Sequence, residues 1–153
     1  MSNFLKTTLA ASTLALAVSA TATQAETVDL VIYYTPDAES KTADIDTRIQ
    51  YYLDHANEAY TTSGVDLKLK MVDKVKTRGN YDALDVDYLK DNYLTYLQNY
   101  RDSKNADLVV FIGTTAPWPG GGTVCGQASD IPSSASSLRQ DGFFNVTGVE
   151  CDH

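Results

Sequence analysis

Residues 106–113 read ADLVVFIG, the most apolar run of the chain beyond its first 25 residues. A continuous β-branched and aliphatic run of this length belongs where both faces are covered, so it predicts the central strand of a sheet. Two other runs predict its neighbours. Residues 28–34 (VDLVIYY) are β-branched and aromatic and end at Thr35-Pro36, which reads as a buried strand. Residues 65–72 (VDLKLKMV) alternate, with Leu67, Leu69 and Met71 on one side and Lys68 and Lys70 on the other. That period of two describes a strand with one wet face.

Helical spacing fills the gaps between these strands. Ile45, Ile49, Tyr52, Ala56, Ala59 and Tyr60 fall on one face of a helix over residues 44–63, and Gly64 stands where a C-terminal cap belongs. Asp85 can cap a second helix reaching about Lys104, with Val86, Leu89, Tyr93, Tyr96, Leu97 and Tyr100 as its core-facing stripe. The plain reading of this tyrosine-rich stripe is packing rather than binding.

The order strand, helix, strand, helix, strand predicts an α/β fold with right-handed crossovers. Residues 114–122 hold two prolines, three consecutive glycines and the single Trp, and read as a loop. Residues 123–128 (TVCGQA) and 142–149 (GFFNVTGV) can add short strands, and the serine-rich residues 129–141 read as a loop between them. The expectation is a mixed, mostly parallel twisted sheet of about five strands with two main helices. With both helices on one side, much of the other sheet face would be uncovered, and exposed apolar surface with aggregation would follow.

The chain opens with one positive charge at Lys6, an uncharged apolar and small-residue segment over residues 7–20, and small residues at Ala20, Ala22 and Ala25. This is the layout of a cleaved export signal, and the run is shorter than the about 20 residues of a membrane-spanning helix. Residues 1–25 are therefore read as a leader and residues 26–153 as one domain, secreted or periplasmic. Cleavage after Ala25 removes Lys6, leaving 128 residues and moving the formal charge from −8 to −9. That acidity argues against nucleic acid and against anionic membranes as partners. Cys125 and Cys151 both lie in the exported part, and an even cysteine count in an oxidising compartment reads as a disulfide.

No complete catalytic set is present: the sequence holds no His-Glu-x-x-His, no Gly-x-Ser-x-Gly and no phosphate loop. Gly120-Gly121-Gly122 lacks a following Lys-Ser/Thr. Asp82, Asp85 and Asp87 miss the glycine and closing glutamate of a calcium loop, so capping and surface roles fit them better. His55, between Asp54 and Ala56, reads as a solvent-facing helix residue. Cys125, Cys151 and His153 lack the paired spacing of structural zinc modules. Asn145-Val146-Thr147 matches a glycosylation acceptor, which matters only in a eukaryotic secretory pathway.

Several segments, taken in order, resemble the reprolysin-like metzincins, and the bacterial peptidyl-Asp metalloendopeptidases in particular. Residues 28–36 (VDLVIYYTP) resemble their first strand, and Asn57-Glu58-Ala59-Tyr60 with Ser63-Gly64-Val65 their first helix and its exit. Residues 106–109 resemble their third strand, Cys125-Gly126-Gln127-Ala128 their edge strand, and residues 143–146 with Cys151 the approach to their catalytic helix. The resemblance implies a metzincin-like N-terminal subdomain. In that family a His-Glu-x-x-His-x-x-Gly-x-x-His helix, expected a few residues beyond Cys151, holds Zn²⁺. Its glutamate serves as general base on the zinc-bound water. Those residues are absent here, so no catalytic or metal-ligating residue is assigned, and zinc is not expected to bind this chain.

The resemblance further implies that Thr123, Val124, Cys125, Gly126, Gln127 and Ala128 line the cleft, where an extended peptide adds as a further strand. It also implies that the Cys125–Cys151 pair ties this strand to the entrance of the catalytic helix. The leading expectation is part of a secreted zinc metalloendopeptidase acting on peptides or proteins, inactive without its zinc motif. An exported, non-catalytic peptide-binding module and an acidic protease inhibitor stay open as alternatives.

Overall fold

The computed structural model describes residues 25–80, 85–117, 121–128 and 144–151. The segment before Ala25 read as a leader, Trp118, Gly120, Asp82, the serine-rich segment and His153 lie outside these. Strand β1 (Glu26–Tyr34) is buried on both faces, with Leu30, Ile32 and Tyr34 on one side and Val31 and Tyr33 on the other. Residues with no wet face need cover from two directions, and this requirement organises the molecule.

A short helix α1 (Pro36–Ser40) follows directly, where the sequence reading placed only a strand end. The Thr35 side chain accepts a hydrogen bond from the Ala38 amide at 3.1 Å, and Pro36 fills the first helical position, where its missing N–H costs nothing. Helix α2 (Ile45–Thr62) starts at Asp44, whose carboxylate accepts from the Asp46 amide at 3.0 Å. It ends at Gly64, whose φ of +69° suits glycine, with the Val65 amide returning to the Tyr60 carbonyl at 2.9 Å.

Strand β2 (Leu67–Lys76) runs four residues past the expected end. Its pairing with β1 slips between Leu30/Met71 and Val31/Asp73, so Val72 is the extra residue of a bulge. The bulge breaks the period of two, which is why the alternation read from sequence stops there. Beyond it, Asp73 accepts from the Lys104 ammonium at 2.7 Å and the Tyr100 hydroxyl at 2.9 Å. The Lys104 ammonium, with the Lys74 amide and the Tyr100 hydroxyl, holds its carboxyl below the usual range.

Helix α3 (Val86–Ser103) is capped by Asp85, whose carboxylate accepts from the Tyr88 amide at 2.9 Å. Val86, Leu89 and Leu97 are buried and Tyr93 and Tyr100 half-buried, as the stripe predicts. Tyr96 is a correction: it is 56% exposed, at the margin of the apolar face. Strand β3 (Leu108–Gly113) is central as expected, in a five-stranded sheet of order β2-β1-β3-β7-β6. Here β6 is Gly126–Ala128 and β7 is Phe144–Gly148; all neighbours are parallel except β6 against β7.

The two main helices do not share a side. Helix α2 packs Ile45, Ile49 and Leu53 on the face carrying Leu30, Ile32 and Ile112. Helix α3 packs Val86, Leu89 and Leu97 on the opposite face, against Val31, Tyr33, Val109, Phe111 and Val146. The topology explains the correction. The chain steps outward from β1 to β2, then back across β1 to β3, and crossovers of one hand in opposite directions place their helices on opposite faces. The expected uncovered face therefore does not arise from helices stacked on one side. Among the described residues, the large exposed apolar side chains are Tyr51, Val65, Tyr88 and Tyr96, all on helices or their exits.

Candidate functional site

The segment from Thr123 to Ala128 divides into two pieces rather than one strand. Strand β5 (Thr123–Val124) pairs antiparallel with β4 (Ala116–Pro117) in a separate two-stranded sheet. So part of the stretch read as a loop is paired. Gly126–Ala128 joins the main sheet, with Gly126 opposite Thr147, Gln127 opposite Val146 and Ala128 opposite Asn145. Cys125 is the pivot between the pieces. Its carbonyl accepts from the Gly148 amide at 2.8 Å, and its sulfur is bonded to Cys151, with the Cα atoms 5.6 Å apart. A residue fixed at both main chain and side chain stops the two pieces from merging into one straight strand.

Among the described residues strand β6 is the outermost strand on this side of the sheet, and Gly126, Gln127 and Ala128 are all exposed. Hydrogen bonding alternates along an antiparallel pair. Because Cys125 bonds inward to Gly148, Gln127 also faces β7, and the N–H and C=O groups of Gly126 and Ala128 point outward. These are the groups that a further strand pairs with. Gly126 also lies close to β7, since a Cβ there would sit 3.2 Å from the Val146 carbonyl oxygen. The Gln127 side-chain oxygen accepts from the Val86 amide at 3.3 Å, which ties the edge to the first turn of α3.

The chain leaving β7 is held more firmly than the sequence suggests. Glu150 accepts from the Thr115 amide at 2.8 Å, the Thr115 hydroxyl at 2.6 Å and the Lys41 ammonium at 2.5 Å. The Lys41 ammonium and the two Thr115 donors push its carboxyl from 4.5 down to about 2. The Tyr52 hydroxyl donates to the Val149 carbonyl at 3.2 Å, and the Val149 amide donates to the Gly113 carbonyl at 2.8 Å. A side chain at Gly148 would crowd Thr115, because a Cβ would lie 2.9 Å from its Cγ2. Glu150, Thr115, Lys41, Tyr52 and the side-chain role of Gln127 were missed in the sequence. Their partners lie 35 to 109 residues away, so no local pattern marks them.

No family model matches the chain. It is 35% identical, over 96% of its length, to the peptidyl-Asp metalloendopeptidase of Pseudomonas aeruginosa. The chain is related to a metallopeptidase. It spans 26% of that protein's length. A solved structure of a chaperone-substrate complex matches with a TM-score of 0.62 at 19% identity, covering 83% of this chain and 23% of the other; this similarity shows the fold alone.

Metal chemistry in a metallopeptidase needs three or four ligands from His, Cys and carboxylates converging at one point. Among the described residues no group of three or more such side chains converges. Both thiols are engaged in the disulfide. His55 is exposed on α2, with its ring stacked 5.5 Å from that of Tyr51. The described residues thus do not fit a metal, and what they can supply is the exposed edge β6 and its fixed surroundings. Also among the described residues, no helix is long and apolar enough to cross a membrane.

Proposed function

We propose that this chain forms the sheet-bearing part of the catalytic domain of an exported, reprolysin-like zinc metalloendopeptidase. In this reading β6, with Thr123, Val124 and Cys125 leading into it, docks the peptide substrate as an added strand. The relationship to a peptidyl-Asp metalloendopeptidase over almost the whole chain carries the proposal. The outward backbone groups of Gly126 and Ala128 support the docking mode. Export through residues 1–25 fits the layout of that segment. Among the described residues no three metal ligands converge, and what they offer this reading is the docking and orienting of the peptide.

The docking role has a direct test in the full product of the gene. Ala128→Pro removes an outward N–H without touching the ladder to β7, whereas Ala128→Ser keeps it. The expected result is a kcat/KM lower by up to about tenfold for the proline variant, the worth of one hydrogen bond, mainly through KM. Equal kcat/KM for the two variants, both folded, contradicts docking at β6. The family reading has its own check in the codons after His153. Continuation into His-Glu-x-x-His supports it, and a stop with no such motif downstream in any nearby frame contradicts it.

A further inference from the structure

A second site lies on the α3 face of the sheet, toward its β2 edge and away from β6. A cavity of about 590 Å³ opens between α3 and the ends of β1 and β2, a volume within the range of small-molecule pockets. Tyr33 and Phe111, stacked with ring centroids 6.4 Å apart, line it from the sheet, and Leu89, Tyr93 and Tyr96 line it from the helix. Arg78 stands at its rim, exposed, and pairs with no described carboxylate, whereas Lys76 beside it is paired with Glu39.

The Tyr33 hydroxyl is the decisive feature. Tyr33 is 3% exposed, yet its hydroxyl has no hydrogen-bond partner among the described residues. Leaving a buried hydroxyl unsatisfied is costly, and in a well-packed protein it calls for an explanation. Burial pushes its pKa up, and the neighbouring Tyr96 phenol adds to this. Tyr96, more than half exposed, is a side chain that an incoming group can displace.

From these residues we infer that the cavity binds a small hydroxylated aromatic carboxylic acid. The aromatic walls accept its ring. Its hydroxyl satisfies Tyr33 at the floor, and its carboxylate pairs with Arg78 at the rim. The exposed Arg78 guanidinium, with no carboxylate partner among the described residues, favours an anion at the rim over a cation.

Calorimetric titration of the full chain with three probes tests the inference. They are 3-(4-hydroxyphenyl)propionate, 3-phenylpropionate without the hydroxyl, and 4-ethylphenol without the carboxylate. The first is expected to bind one per chain at roughly millimolar affinity or tighter, and each of the others up to about tenfold more weakly. Tyr33→Phe is expected to abolish the preference for the hydroxyl, and Arg78→Ala the preference for the carboxylate. Arg78 is exposed, so its variant decides the matter even if Tyr33→Phe fails to fold. Equal affinity for the three probes, no saturation by about 20 mM, or preferences unchanged in folded variants overturns the inference.

Discussion

Asn57 on α2 pairs with the main chain of Leu69 on β2 as if it were another strand. Its amide nitrogen donates to the Leu69 carbonyl at 3.0 Å, and its oxygen accepts from the Leu69 amide at 2.7 Å. Strand β2 is the outer strand among the described residues, so these two groups have no strand partner there on that side. One side chain thus docks the helix and satisfies the edge together. Asn57→Leu, of similar size but without polar atoms, is expected to cost about 1–3 kcal/mol in urea denaturation. Asn57→Asp, which keeps the acceptor, is expected to fall between it and the wild type. An unchanged midpoint for Asn57→Leu contradicts the docking role.

Glu150 gives a pH signature. Its folded pKa of about 2 lies below its ordinary 4.5, so the charged form is favoured by folding. Its contribution is therefore complete above pH 4.5 and is lost as the pH falls toward about 2. The stability difference between wild type and Glu150→Gln is expected to be constant above pH 5 or so and to close between about pH 4.5 and 2. A difference that does not change with pH contradicts the contact with Lys41 and Thr115.

Gly148 and Thr115 are coupled by close approach. Gly148→Ala places a methyl 2.9 Å from Cγ2 of Thr115, whose hydroxyl is held by Glu150 and cannot swing freely. A loss of about 1–3 kcal/mol is expected from such overpacking. Thr115→Ser removes that methyl and keeps the hydroxyl, so the double variant is expected to recover most of the loss. Additive losses in the double-mutant cycle contradict the contact.

The Cys125–Cys151 disulfide closes a separation of 26 residues. Replacing both cysteines by serine is expected to cost about 3–4 kcal/mol, on the loop-entropy account of such cross-links. Reductant added to the wild type should lower the denaturation midpoint by the same amount and leave the double variant unaffected. A reductant-insensitive wild type contradicts the bond.

What was legible in the sequence was what local chemistry decides. The apolar residues of β1 and β3, the cap Asp85 and the exit at Gly64 act within a few residues of themselves. Helix α1 had a local signal too, in Thr35 followed by Pro36, but that pair also ends a strand, and the strand reading hid it. The faces of α2 and α3 were not legible, because they depend on the direction of each crossover and not on any helix's own stripe. The bulge at Val72 and the pivot at Cys125 depend on the register of a neighbour. The exit of β7 depends on Glu150 meeting Lys41 across 109 residues, which no window of sequence contains.

If this chain serves a zinc peptidase, hydrolysis by the full product of the gene depends on the metal. The full product of the gene, purified under oxidising conditions, is expected to carry one zinc per chain. It should cleave a peptide substrate, lose that activity to a chelator and regain it when zinc is restored. Cleavage that persists in chelator, or a zinc-free product that cleaves nothing, rules out a zinc peptidase.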